Sequence, residues 1–159
     1  MTVIRPLAEA DLHAVATMIG DLNEHEGSDR GTAPDAAALC RAFLTDPTGY
    51  LLVAETLRGL DGYVTLHVTY ETEFAARGCY LGDLYVRPEA RRAGIGRALL
   101  AAAARLARAE GGTFLWWTAR PENSAGHAFY RALGAEGEPL RAFALTFDAF
   151  DRLATEAAP

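Results

Sequence analysis

The run Leu84-Tyr85-Val86-Arg87-Pro88-Glu89-Ala90-Arg91-Arg92-Ala93-Gly94-Ile95-Gly96-Arg97 decides how this chain is read. A β-rich stretch ends, Pro88 breaks it, and a glycine-containing turn opens a long helix. The first turn of a helix carries amide N–H groups with no intrahelical acceptor, at the positive end of the dipole. Glycines at 94 and 96 let a ligand approach that backbone with no Cβ in the way. Arg91, Arg92 and Arg97 add donors suited to phosphate oxygens. The combination is an anion cradle matched to a pyrophosphate; the plainer alternative is a strand-to-helix turn eased by its glycines. G-x-G-x-x-G is absent, and a P-loop is excluded because the chain contains no Lys, which argues against those nucleotide-binding modes.

Working outward, Gly94 to Glu110 reads as a helix with Ile95, Leu99, Ala102 and Leu106 on one stripe. Before the cradle, Tyr50–Thr56, Tyr63–Thr72 and Cys79–Val86 read as antiparallel strands, with Gly78 ending the last turn. Val3–Pro6 opens with a short strand. Ala8–Glu24 has helical spacing at Leu12, Val15, Ile19 and Leu22. A loop spans Gly27 to Gly31, and Pro34 suits the first turn of a second helix through Leu39, Phe43 and Leu44. After Gly111-Gly112, Thr113–Thr118 is a strand, Glu122–Leu133 a helix stopped by Gly134, and Leu140–Phe147 a last alternating strand. A short helix from Asp148 would follow. The predicted order is β-α-α-β-β-β-α-β-α-β in one α/β domain covering residues 1–159.

With 159 residues and half of them apolar, the chain can bury a sizeable core. A net charge of −6 argues against nucleic acid as a partner and weakly favours cationic small molecules. No apolar run is long enough for a membrane span. Met1–Pro6 lacks the regions of a signal peptide, and Cys40 and Cys79 have no metal-type spacing. A reducing cytoplasm and no metal are therefore expected.

Arg91-Arg92-Ala93-Gly94-Ile95-Gly96 resembles the [QR]-x-x-G-x-[GA] motif of GNAT N-acetyltransferases, which binds the pyrophosphate of acetyl-coenzyme A. Glu122-Asn123-Ser124-Ala125-Gly126-His127-Ala128-Phe129-Tyr130-Arg131-Ala132-Leu133-Gly134 is similar to that family's N-x-x-A-x-x-F-Y-x-x-L-G segment, with Gly126 in place of Ala. The resemblance implies a mixed, mostly antiparallel central sheet flanked by helices. It implies a bulge in Leu84-Tyr85-Val86, whose main chain would bond the pantetheine arm, and contacts from Arg91, Arg92, Ala93, Gly94, Ile95, Gly96, Arg97 and Asn123 to acetyl-CoA. Tyr130 would protonate the departing thiolate; the plainer role is a core tyrosine. A homodimer with the last strand near its interface is also implied.

Tyr80-Leu81-Gly82-Asp83-Leu84-Tyr85-Val86 looks like the spermidine/spermine branch, whose strand reads Tyr-Leu-Glu-Asp. That branch acetylates polyamines or lysine-like amino acids, and its Glu assists deprotonation. Gly82 cannot. An alkyl ammonium is neutral in only about one part in a few thousand at pH 7, so a base or a water relay is needed. Asp83, Glu71, Glu73, His67 and His127 are the candidates. Asp83 is adjacent, although alternation sends it to the opposite face unless a bulge reorients it. Glu71 and Glu73 would reach the cleft mouth. Glu24, within the acidic stretch Asp21–Glu26 with Asp29, would attract the amine, or is simply a solvated helix end. The expected reaction is acetyl transfer from acetyl-CoA to a small-molecule primary amine. An acyl-CoA-binding regulatory module and a protein acetylase are the other readings.

Overall fold

Strand β2 (Tyr50–Thr56) and strand β3 (Gly59–Glu71) pair as a hairpin, and β3 pairs in turn with β4 (Ala76–Val86). With β1 (Val3–Pro6) and β5 (Leu115–Trp116) they form a five-stranded sheet ordered β1-β2-β3-β4-β5. Every pairing is antiparallel except β4–β5. The computed structural model describes residues 1–27 and 34–156. The predicted loop beyond Gly27, with Asp29, lies outside the described residues. The chain forms two compact units, Met1–Trp117 and Thr118–Pro159.

Alternation along the strands sorts the core of the first unit onto two sheet faces. Leu51, Val53, Tyr63 and Tyr85 pack with Leu12, Val15, Met18 and Ile19 of helix α1 (Leu12–His25) and with Leu39 of α2 (Ala36–Cys40). On the other face lies helix α3 (Ile95–Ala109), burying Ile95, Leu99, Leu100, Ala102, Ala103 and Ala107. A Cβ at Gly62 would lie 3.4 Å from Leu99 Cδ1, which shows how closely α3 approaches. The fold is α/β, a mixed and mostly antiparallel sheet flanked by helices.

Helix starts differ from the sequence reading where a carboxylate intervenes. The first helix begins at Leu12, after a 3-10 turn at Glu9–Asp11, rather than at Ala8. Asp11 accepts the Ala8 amide at 2.8 Å and a bidentate pair from Arg5 at 2.6 and 3.0 Å, which ties β1 to the turn. The second starts at Ala36, not Pro34, because Asp35 caps it through the Ala38 amide at 2.7 Å. A wide π-type turn, Arg41–Thr45, follows.

Four strand readings need correction, the first being that β3 begins at Gly59 and not at Tyr63. The β3–β4 turn falls before Ala76, and Gly78 sits inside β4. There a Cβ would be 2.5 Å from the Phe114 ring, so the glycine is needed for that close approach. The strand read over Thr113–Thr118 is only Leu115–Trp116. In the second unit, Leu140–Phe147 is not a strand. Alternation provides a face, but a strand also needs a partner backbone, and none pairs with it among the described residues. Leu140, Phe143, Leu145 and Phe147 stand exposed. That unit contains helices α4 (Ser124–Ala132) and α5 (Asp148–Glu156).

Candidate active site

The chemistry begins at a fork between β4 and β5. Their pairing is confined to Cys79↔Leu115 and Tyr80↔Trp116 among the described residues. Beyond Tyr80 no strand pairs with the outer edge of β4 among the described residues. Trp116 packs against Tyr80 with ring centres 4.6 Å apart and planes tilted by 54°, and its indole Nε1 is buried with no hydrogen-bond partner among the described residues. Arg87 donates its amide to the Asp61 carbonyl directly opposite on β3. In an antiparallel ladder that parity points the main-chain groups of Leu84 and Val86 the other way, toward that outer edge.

The bulge that sets this parity lies at Gly82–Asp83, just upstream of the predicted Leu84-Tyr85-Val86. Val64 pairs with Leu84 and Leu66 with Leu81, so Thr65 alone faces two β4 residues. Cys79, before the bulge, donates its amide to Phe114 of the β5 side. One extra residue therefore moves the outward-facing groups from odd to even positions.

Past the outer edge comes the cradle. Pro88–Ala90 form a 3-10 turn, Arg92 takes a left-handed φ of 65°, and Gly94 caps α3 at φ 82°. Nothing lies within 4 Å of where a Gly94 Cβ would be, so this glycine serves conformation rather than clearance. Arg91 anchors to the Val86 carbonyl through Nε at 3.0 Å, and Arg92 and Arg97 are exposed. With the first-turn amides of Ile95, Gly96 and Arg97, these groups fit a diphosphate.

On the α1 face, the bulge reorients Asp83. Its carboxylate takes a hydrogen bond from Tyr63 Oη at 3.5 Å, and its amide donates to Thr65 Oγ1 at 2.8 Å. It thus shares a face with Tyr63, Thr65 and His67. Burial pushes the carboxyl above the ordinary aspartate value and the charge of Glu26 pushes the same way, while the Tyr63 bond and nearby His67 pull against them. Among the described residues Asp83 has no ion pair.

Glu24 lines a cleft of about 340 Å³ with Asp21, His25, Tyr85, Arg87, Pro88, Glu89 and Arg91. Glu71 and Glu73 are elsewhere. Glu71 sits six residues from Thr65 on β3, about 20 Å along the strand, at the hairpin end opposite Ala76. It accepts from Thr69 Oγ1 at 2.8 Å. In the second unit, Asn123 caps α4 by accepting the Gly126 amide at 2.9 Å. An Ala Cβ at 126 would lie 2.5 Å from the Asn123 side-chain nitrogen, so the capping side chain would have to shift to admit it. Phe129 and Tyr130 rings stand 5.4 Å apart, and Gly134 ends the helix at φ 87°. His127 lies on the same helix.

A model of the Acetyltransferase (GNAT) family matches residues 16–135. The chain belongs to the GNAT acetyltransferase family. Thialysine N-epsilon-acetyltransferase of Bos taurus is 31% identical over 84% of either chain, and that of Sus scrofa 30% identical over 96% of either chain. These relatives put the GNAT similarity on the diamine-acetyltransferase side. An integron cassette protein from the V. cholerae mobile metagenome shares the fold at TM-score 0.77 and 20% identity, covering 96% of this chain and 97% of that one. An aminoglycoside acetyltransferase from an uncultured soil sample does so at 0.76 and 24%, covering 92% and 97%.

As a GNAT acetyltransferase the chain is an acetyl-CoA-dependent N-acetyltransferase by class. Among the described residues no cluster of three or more His, Cys, Asp or Glu could hold a metal, and no helix is long and apolar enough to cross a membrane. The sequence reading missed Thr65, and it placed Trp116 on the penultimate strand without a role at the fork. The polar alternation Tyr63, Thr65, His67 on one strand was the available signal for Thr65. Nothing local marks Trp116, whose place depends on where β5 stops.

Proposed function

We propose that this GNAT enzyme acetylates a primary amine of a small molecule, a polyamine, diamine or amino acid, by direct attack on acetyl-CoA. The observation that carries the reading is Asp83: a half-buried carboxylate beside the outer β4 edge, bonded to a phenol and paired with no cation among the described residues. An alkyl ammonium is the partner such a group lacks. Glu24 adds a carboxylate for a second cationic group, in a cleft whose Asp21 and Arg87 pair with each other at 3.8 Å. The thialysine enzymes make an amino acid with a side-chain amine the first acceptor to test.

Acetyl-CoA supplies an activated acetyl thioester. Leu84 and Val86 present main-chain groups for its pantetheine arm, Tyr85 lies between them, and Arg91, Arg92, Ala93, Gly94, Ile95, Gly96 and Arg97 receive its pyrophosphate. Asn123 addresses the pantetheine amide, and the Tyr130 hydroxyl gives its proton to the leaving sulfur. Residues 1–159 act as one domain. Two unpaired thiols, Cys40 and Cys79, suit a reducing cytoplasm. A second copy of the chain would cover exposed Phe143, Leu145 and Phe147, giving a homodimer.

The test is thiol release across a panel of polyamines, diamines and amino acids. Asp83→Asn is expected to raise the acceptor KM about tenfold with acetyl-CoA affinity unchanged. Tyr130→Phe is expected to lower kcat with both binding steps intact. Acetyl-CoA binding without turnover of any acceptor would instead make the protein a binding module.

A further inference from the structure

Two glycines flank the two nitrogens of one imidazole. His67 lies on β3 two residues beyond Thr65, on the face of Tyr63 and Asp83. Its Nδ1 sits 3.0 Å from the Thr48 carbonyl oxygen. A carbonyl only accepts, so Nδ1 carries the hydrogen, and in the neutral ring the lone pair is on Nε2. A Cβ at Gly49 would lie 2.4 Å from the Leu66 carbonyl oxygen, 2.6 Å from Nδ1 and 2.8 Å from Cε1, so glycine at 49 admits both the β3 backbone and the imidazole. On the other side, a Cβ at Gly82 would lie 4.0 Å from Nε2. Nε2 has no hydrogen-bond partner among the described residues.

Toward His67 a Cβ at position 82 would make an ordinary contact; toward Thr65 it would not. It would meet Thr65 Oγ1 at 2.8 Å, the atom that holds the bulge through the Asp83 amide. The space a side chain at position 82 would enter is occupied by the bulge-closing hydroxyl and fronted by an oriented imidazole nitrogen.

We propose that His67 Nε2 is the base that deprotonates the acceptor amine. This deepens the amine-acetylation reading above and rests on it. The acceptor arrives as an ammonium; Nε2 takes one proton and passes it to solvent from its half-buried position. The freed nitrogen lone pair forms the N–C bond to the acetyl carbon, the C–S bond breaks, and its electron pair leaves on sulfur. The second proton lost by the nitrogen balances the one the sulfur gains. Thr48 and Gly49 act as positioning residues. The titratable groups facing His67 are Asp83 and, directly opposite on β4, Tyr80, with Tyr63 on its own strand; Glu26 of the segment ending α1 acts on Asp83.

His67→Asn keeps an amide for Thr48 but removes Nε2. It is expected to lower kcat about 100-fold and to leave acetyl-CoA affinity and the thermal midpoint near wild type. Free imidazole should restore part of the rate to His67→Ala. Nitrogen NMR of the ligand-free wild type reads the geometry without turnover: the neutral ring should be protonated at Nδ1, and Gly49→Ala should disturb that tautomer while lowering kcat. A wild type that acetylates amines beside an equally active His67→Asn overturns the base alone, as does an Nε2-protonated neutral ring. A wild type silent on every amine overturns the amine reading and the base together. If His67→Asn does not fold, the wild-type tautomer and the imidazole rescue of His67→Ala decide.

Discussion

The donor edge and the acceptor face of the first unit are built from different materials. The edge and cradle come from one contiguous run, Leu84 to Arg97, and present mainly backbone amides and carbonyls. The acceptor face is assembled from side chains of separate segments: Thr48 before β2, Tyr63, Thr65 and His67 on β3, and Asp83 on β4. A site made of backbone tolerates side-chain change but depends on φ and ψ. A site made of side chains tolerates little truncation and depends on the register that brings strands together.

The sharpest way to break this contrast is Gly94→Val. A β-branched residue at φ 82° costs about 2 kcal/mol, and about 1.4 kcal/mol is tenfold in affinity. Acetyl-CoA binding by calorimetry should therefore weaken roughly 30-fold, equally whichever amine is present. Gly94→Asn should lose much less, because asparagine tolerates the left-handed region. Equal losses for Val and Asn would mean that clearance, not backbone conformation, is what the cradle needs.

Thr65→Val makes the opposite cut. The substitution keeps shape but strands the Asp83 amide, which Thr65 Oγ1 now satisfies at 2.8 Å. An unsatisfied buried amide costs about 1–3 kcal/mol, readable as a lower urea midpoint. Acceptor KM should rise about tenfold as Asp83 swings off its face, with acetyl-CoA affinity within twofold, roughly the error of such measurements. A donor-side loss as large as the acceptor-side loss would show that the bulge serves both ligands through one device.

The same contrast explains what could be read without a structure. The cradle was legible because Pro88, Gly94 and the arginines act within a few residues of one another, and because helix N-termini obey local rules. Asn123 as a cap was legible for the same reason. The bulge position was not, since it is fixed by how β3 residues 64–66 meet β4, a non-local pairing. His67 appeared only as one of five candidates because its tautomer depends on Thr48, nineteen residues earlier. Leu140–Phe147 misled because its alternation is that of a strand, whereas pairing depends on what lies beside it.

A milder test compares charge with conformation inside the cradle. Arg92 and Arg97 are exposed, so each contributes through a screened charge. Arg92→Ala and Arg97→Ala should each weaken acetyl-CoA binding about threefold at low salt, and less at high salt. A salt-independent loss would point to a geometric role instead.

The smallest effects should come from two aspartates whose environments pull in opposite directions. Asp11, hydrogen-bonded by Arg5 at 2.6 and 3.0 Å, titrates below the ordinary 3.8. Its native form releases the proton more readily than the unfolded chain, so its stabilisation is present above that value and is lost as pH falls through the depressed one. Asp83 is raised by burial and by Glu26. The native state holds its proton more tightly than the unfolded chain, so this group's contribution to stability is greatest below 3.8 and declines as pH rises through the raised value. Urea midpoints across an acid-to-neutral series should lose their acid-side slope in Asp11→Asn and their alkaline-side decline in Asp83→Asn. The difference is a matter of partners: Asp11 already has its cation, and Asp83 does not. A saturating diamine should therefore raise the wild-type midpoint increasingly as pH climbs, and should have no such pH-dependent effect on Asp83→Asn.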